Sequence, residues 1–448
     1  MRQYFGTDGL RGVANEEPMT PLTAFKLGRA AGYVFRQHGT NTVLVGRDTR
    51  VSGDMLESAL IAGLCSVGTN VCRVGVIPTP AIAHLTRVLS AQAGIVVSAS
   101  HNPMQDNGIK FFNQDGTKLD DALEEDMDRV LSQDAARDLN PTGKGVGRVI
   151  ERLNAVERYL KFIEQQVALG LDLSGTSIVV DCAHGSASYV APRFLEHLGA
   201  EVTAINAVPD GFNINDGCGS EHPQPMQEAA VGHLADIGLA FDGDGDRMIL
   251  ADERGQLLNG DHVLAICARH LHEQGRLRSP TIVATVMSNF GLEVALRDLG
   301  LALARCPVGD RYVWEKMQEV GAYLGGEQCG HVIFREHGTT GDGLVTALEV
   351  LRVMLETGKP LSELAQIVQA VPQVLLNIQV REQKELDSIP SVAAATKQAE
   401  EAMGSQGRVL VRYSGTQPLA RVMLEGTDQG LVNEHAERIA EAIRAALG

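Results

Sequence analysis

Ser177-Ile-Val-Val-Asp181 is a short β-branched run, followed by a helical pattern and then by residues 199–209, a second strand led by glycine and ending near proline. The same order recurs at 42–46 with 68–78 and at 281–285 with 300–307. A strand, a helix-length crossover and another strand predict a parallel pairing, because parallel neighbours need a long connection. Three similar α/β units therefore follow from one pattern repeated, with helices on both faces of each sheet.

The chain leaves room for them. Its 448 residues are about three times a typical domain length. A hydrophobic content of 44%, with 21% charged residues and Gly 48 against Pro 16, is that of a folded globular protein rather than a disordered or fibrous one. The balance of 39 Lys+Arg against 56 Asp+Glu, a formal charge of −17, repels polyanions and argues against nucleic acid as a partner. An anionic small ligand must then be held locally, by inward-facing cations or backbone amides. Seven cysteines with no Cys-x-x-Cys pair suit a reducing cytoplasm. No run approaches the ~20 apolar residues of a membrane span, so no membrane partner is expected.

Outward from the repeats, Thr20-Pro21 opens a helix with an N-cap and a proline at the first helical position. The last ~75 residues change pattern to strands at 374–380, 408–413 and 420–425, with helices at 389–403 and 432–446, which predicts an α+β domain with an antiparallel sheet. The expected domains are 1–150, 151–253, 254–370 and 371–448, with a hinge near residues 369–372.

Ligands in open α/β sheets bind off the carboxyl ends of strands. In the first unit that position carries Ser98-Ala-Ser100-His-Asn-Pro103, and in the second Asp242-Gly-Asp-Gly-Asp-Arg247. Asp242, Asp244 and Asp246, separated by glycines, can turn three carboxylates onto one hard cation such as Mg²⁺ or Ca²⁺. An EF-hand is excluded, because Arg247 stands where that loop requires glycine and the flanks read as strands. Arg247 suits a site where a cation meets phosphate.

Ser100 is placed to carry a phosphoryl group, the plainer reading being a turn serine capping an amide. Lys110, on a returning strand, reaches the same cleft unless it is a surface lysine on an edge. Gly325-Gly-Glu327-Gln-Cys329-Gly-His331 offers a carboxylate, an amide, a thiol and an imidazole, a set able to read sugar hydroxyls. Cys329 and His331 are poorly spaced for a nucleophilic thiolate pair. Arg412-Tyr-Ser414-Gly-Thr416-Gln-Pro418 followed by Arg421 has the guanidiniums and backbone donors that a phosphate needs.

These four segments, in this order and after the opening Phe5-Gly-Thr-Asp-Gly-Leu-Arg11-Gly12, resemble the α-D-phosphohexomutase family along the whole chain. Glu327-Gln328 looks most like its bacterial amino-sugar branch, other branches commonly having Met at position 328. The resemblance implies a phosphoserine at Ser100, one Mg²⁺ held by Ser100, Asp242, Asp244 and Asp246, and a transfer site lined by Arg11, His101, Lys110, Arg247 and His331. It implies sugar recognition by Glu327, Gln328 and Cys329, and a grip on the non-reacting phosphate by Arg412, Ser414, Gly415, Thr416 and Arg421. The implied fold is four domains around a central cleft, three α/β domains with mixed sheets plus the α+β domain. Cys329 and Gln417 depart from the family's usual Ser and Glu. A thiol is a weak donor, so one sugar contact is expected to weaken.

The expected activity interconverts glucosamine 6-phosphate and glucosamine 1-phosphate through a hexosamine or hexose 1,6-bisphosphate that also primes the serine, supplying UDP-N-acetylglucosamine synthesis. A base such as Lys110 is expected to accept the attacking hydroxyl's proton. The alternatives are activity on mannose or glucose phosphates, or a metal-dependent sugar phosphatase. A small-molecule sugar phosphate is the expected partner, the chain being a monomer or homodimer.

Overall fold

The computed structural model describes residues 9–36, 42–133, 136, 138–413 and 419–448. It divides into two compact units, one comprising Met1–Met287 with Leu303–Gln366 and the other Ser288–Ala302 with Ile367–Gly448.

The first unit holds three sheets. The first is built from β1 (Leu10–Val13), β2 (Thr42–Arg47), β3 (Asn70–Val76), β4 (Ala93–Val97), β5 (Asp106–Asn113) and β6 (Val149–Glu151), in the order β1-β5-β4-β2-β3-β6. The second contains β7 (Ser177–Asp181), β8 (Glu201–Ile205), β9 (Ile237–Phe241), β10 (Met248–Asp252) and β11 (Leu257–Leu258), in the order β11-β10-β9-β7-β8. The third contains β12 (Thr281–Thr285), β13 (Ala302–Cys306), β14 (Leu324–Gly326) and β15 (Val332–Phe334), in the order β13-β12-β14-β15.

One motif is common to all three sheets. The parallel strands β2, β7 and β12 are flanked by a parallel partner, and the next strand out, β4, β9 or β14, returns through a tight connection into an antiparallel neighbour, β5, β10 or β15. The sheets are thus mixed, parallel at the centre with an antiparallel return on one side. β4 and β9 are buried on both faces at every residue, which is why they read as unbroken apolar runs rather than alternating ones. The helix Pro21–Phe35 starts as expected, with Thr20 Oγ1 accepting from the Thr23 amide and Pro21 in the first turn.

The second unit contains β16 (Gln373–Gln379), β17 (Gly407–Tyr413) and β18 (Leu419–Gly426) in the antiparallel order β16-β18-β17. Helices Pro390–Met403 and Gln429–Leu447 pack on it, burying Val392, Ala399, Val432, Ile439 and Ile443 against Val422 and Leu424. Helix Phe290–Asp298 belongs to this unit. Its cap residue Asn289 exchanges hydrogen bonds with both backbone groups of Val371, and Arg408 donates to the Ser288 carbonyl. No helix among the described residues is long and apolar enough to cross a membrane, and all seven cysteines are free of disulfides.

Candidate active site

The three return connections carry the three motifs of the first unit. Between β4 and β5 lies Ser100, 1% exposed and in the left-handed region at φ 54°. A non-glycine residue pays a steric cost there, so the surroundings must impose it. Ser100 N donates to Ser98 Oγ at 2.9 Å, Ser98 Oγ donates to Asp48 Oδ2 at 2.7 Å, and the Ser100 hydroxyl donates to Asp242 Oδ2 at 2.6 Å.

Between β9 and β10 lie Asp242, Asp244 and Asp246, all buried, each offering an oxygen within 4.8 Å of the others. Lys110 Nζ is 2.9 Å from Asp244 Oδ2 and 3.9 Å from Asp246 Oδ2, and Thr79 Oγ1 donates to Asp244 Oδ2 at 2.6 Å. Asp244 Oδ1 and Asp246 Oδ1 are buried with no hydrogen-bond partner. Burial, then Asp246 and Asp244, push the Asp242 carboxyl well above its usual range. For Asp244, burial and Asp246 act upward but Lys110 and Thr79 outweigh them, holding it low. Three clustered acids, two of them with an orphaned buried oxygen, form an all-oxygen donor set that fits a hard divalent cation.

Lys110 is 1% exposed on β5, which lies between β1 and β4. The edge-strand reading therefore fails: this lysine is interior. The Arg247 amide donates to Asp242 Oδ1 at 3.1 Å, and its guanidinium lies 3.4 Å from Glu221 and 3.9 Å from Asp246. His101 Nδ1 is 3.4 Å from Ser100 Oγ, and burial followed by Arg247 lowers its pKa to about 4, leaving a neutral imidazole.

The connection between β14 and β15 carries Glu327 to His331. Glu327 accepts from the Gly309 amide at 3.1 Å and is pushed up by burial. Cys329, pushed up to about 12 by burial, remains a thiol, in line with a neighbour rather than a nucleophile. Around His331, burial is outweighed by Asp246, Asp310 and Glu327, which raise its pKa to about 9. The Gly341 amide nevertheless donates to His331 Nε2 at 2.8 Å, a contact that only an unprotonated Nε2 accepts, so protonation requires that turn to let go.

These groups meet in one cleft of about 580 Å³, lined among others by Arg11, Ser100, His101, Lys110, Asp246, Arg247, Glu327, Cys329 and His331. Gln328 does not join them: its side-chain amide donates to Asp261 Oδ2 at 3.1 Å, tying the loop to helix Gly260–Glu273. In the second unit Arg412 and Arg421 are direct cross-strand partners on β17 and β18. Ser414, Gly415 and Thr416 lie outside the described residues.

Sequence reasoning missed the supports. Asp48 and Arg50 follow β2, Thr79 follows β3, Asn215 comes from the second α/β domain, and Gly309 and Asp310 complete the cleft wall. The available signal was the charged run Arg47-Asp-Thr-Arg50 at another strand's carboxyl end.

Family models for the phosphoglucomutase/phosphomannomutase α/β/α domains I, II and III match residues 2–137, 157–255 and 259–371, and the model for the C-terminal domain matches 375–442. The phosphoglucosamine mutase of Desulforudis audaxviator is 51% identical over 447 residues, covering 99% of this chain and 98% of its own length. Among solved structures, a phosphoglucomutase/phosphomannomutase family protein from Burkholderia thailandensis superposes with a TM-score of 0.82 at 26% identity, over 98% of this chain and 96% of that one. The N-acetylphosphoglucosamine mutase of Aspergillus fumigatus, in complex with GlcNAc-6P and magnesium, shares the fold with a TM-score of 0.65 at 17% identity, over 100% and 96% of the two chains.

Proposed function

The chain belongs to the phosphoglucosamine mutase branch of the phosphoglucomutase/phosphomannomutase family, a family of phosphohexose isomerases, and from that membership we propose that it interconverts glucosamine 6-phosphate and glucosamine 1-phosphate through a phosphoserine at Ser100. The observation that carries the proposal is Ser100 itself: a buried hydroxyl in a left-handed turn, 2.6 Å from the acidic triplet, in a cleft with Arg11, Lys110 and Arg247.

In the forward half-reaction a sugar hydroxyl oxygen attacks the phosphorus on Ser100. The new oxygen–phosphorus bond forms as the Ser100 Oγ–phosphorus bond breaks, and the hydroxyl's proton passes to a group on the cleft wall. The resulting 1,6-bisphosphate turns about and returns its other phosphoryl group to Ser100, so the chemistry is symmetrical and no net phosphate is consumed. Arg11, Arg247 and Lys110 neutralise the transferring oxygens. Ser100, Asp242, Asp244 and Asp246 would hold one Mg²⁺, which when bound supplies further positive charge to the phosphoryl group. Glu327 receives sugar hydroxyls or the ammonium, while Arg412, Arg421 and residues 414–416 hold the phosphate that is not transferred.

Of the groups on the cleft wall, the neutral imidazole of His101, 3.4 Å from the Ser100 hydroxyl, is placed to take the proton, whereas Lys110, an ammonium paired with Asp244, can accept one only after releasing its own. The variants Lys110→Met and His101→Gln sort them: loss of the acceptor lowers kcat and flattens the acid limb of its pH profile, whereas loss of a group that only neutralises the transferring oxygens lowers kcat and leaves the shape of the profile unchanged.

The test of the whole reading is peptide mass spectrometry of the purified protein, with kcat/KM on glucosamine, glucose and mannose phosphates primed by the matching bisphosphate. Phosphate on Ser100 and a preference for the amino sugar are expected. Full activity in Ser100→Ala would refute the relay, and faster turnover of mannose or glucose phosphate would refute the substrate.

A further inference from the structure

Ser100 does not hold its left-handed backbone alone. Arg50 is fully buried, and all its guanidinium N–H groups are spent. Nε donates to Asp48 at 2.9 Å, Nη1 to the Pro103 and Asp106 carbonyls at 2.5 and 3.1 Å, and Nη2 to the Ser100 and Asn102 carbonyls at 2.9 and 2.7 Å. The last two carbonyls have a second donor. Asn215 Nδ2, from the second α/β domain, reaches Ser100 O at 2.9 Å and Asn102 O at 3.0 Å. Both carbonyls are thus gripped by a donor from each domain, and neither Arg50 nor Asn215 lines the cleft.

The carboxylate loop leaves space for this grip. A Cβ on Gly243 would sit 2.7 Å from Ser100 O and 2.8 Å from Asn215 Nδ2. Only the close approach, and no unusual backbone angle, demands glycine at that position. Because a trans peptide points its C=O and the following N–H in opposite directions, pinning Ser100 O backward also turns the His101 N–H away from the two donors.

We propose that Arg50 and Asn215 are positioning residues that clamp the Ser100 and Asn102 carbonyls from two domains, and so set the attack and departure geometry of the Ser100 oxygen. The inference rests on the phosphoserine reading above. The clamp touches neither sugar nor phosphate, so its loss affects transfer rather than binding.

Asn215 is the better residue to change, because Arg50 shares a buried ion pair with Asp48 and its loss endangers folding. Asn215 itself has φ 57°, so substitutions must tolerate the left-handed region. Asn215→Gly removes the donor and keeps the backbone free. Asn215→Asp keeps the shape and puts an acceptor against two carbonyls.

Steady-state kinetics on the full chain, with the phosphorylated fraction of Ser100 read by mass spectrometry, decide the matter. The expected result is a kcat lowered about 10-fold in Asn215→Gly and about 100-fold in Asn215→Asp, with KM within about 3-fold of wild type. The ratio of phosphoryl transfer to spontaneous phosphoserine hydrolysis falls in parallel, a readout that a purely structural residue does not move. Wild-type kcat in Asn215→Asp, or equal losses in both variants that track a lowered Tm, overturns the clamp while phosphate on Ser100 leaves the mutase reading standing. Phosphate found only elsewhere overturns both.

Discussion

The serine connection between β4 and β5 and the carboxylate connection between β9 and β10 occupy the same position in two copies of one motif, yet their chemistry is opposite. In the first, donors converge on backbone carbonyls and leave a single hydroxyl facing the cleft. In the second, donors converge on side-chain carboxylates and leave two acceptor oxygens unsatisfied. One loop is satisfied and strained, and the other is relaxed in backbone but left with two orphaned carboxylate oxygens. The repeated backbone thus supplies a place, while a few side chains decide whether it presents a nucleophile or a cation site.

The sharpest way to break this contrast is to neutralise one carboxylate of the second loop. Asp244→Asn is expected to lower kcat about 10²–10³-fold and to abolish its dependence on added Mg²⁺, measured with and without EDTA. An unchanged rate in EDTA would mean that the orphaned oxygens serve no cation. Calcium is expected to bind and support little turnover, because its looser coordination positions the phosphoryl group poorly.

The third connection provides the next test, because Glu327 alone among its side chains offers a carboxylate to the cleft. Glu327→Gln is expected to raise KM for the amino sugar about 10-fold with a smaller change in kcat, as loss of a charge-assisted hydrogen bond does. A fall in kcat at constant KM would instead move Glu327 into the transfer step.

The support behind the carboxylate loop has a pH signature. Asp342 caps helix Gly343–Thr357, whose first amide donates to the Gly245 carbonyl at 3.0 Å, and Tyr159 Oη donates to Asp342 at 2.7 Å. Burial, opposed by Tyr159, raises the Asp342 pKa from 3.8 to about 6. The folded state therefore favours the neutral acid, so this residue's contribution is most favourable below the unfolded value and is lost as pH rises toward about 6. Asp342→Asn is expected to gain up to about 3 kcal/mol relative to wild type between pH 4 and pH 6, and nothing further above, in paired denaturant titrations. A difference that stays flat with pH would refute it.

The smallest effect is expected at Cys329. Its thiol lines the cleft but remains protonated, so Cys329→Ser is expected to change kcat/KM by less than about 3-fold, upward if the hydroxyl reaches the sugar. Loss of activity would make the thiol a participant.

Much was legible in the chain alone, for physical reasons that differ by residue. Buried parallel strands must be apolar throughout, so the runs at β2, β7 and β12 announce themselves, and glycine between carboxylates at Asp242–Asp246 records a backbone that has to turn tightly. Such signals are local, each residue's type being set by its own neighbours in sequence. What only the tertiary structure decided is which side chains arrive from elsewhere. Arg50 and Asn215 lie 50 and 115 positions from Ser100, Lys110 and Thr79 lie 134 and 165 from Asp244, and Gln328 turns to Asp261 rather than to the cleft. An arginine or asparagine looks the same in sequence whether it meets water or a buried carbonyl, because the need for a donor is created by burying the acceptor, and burial exists only once the domains have closed on one another.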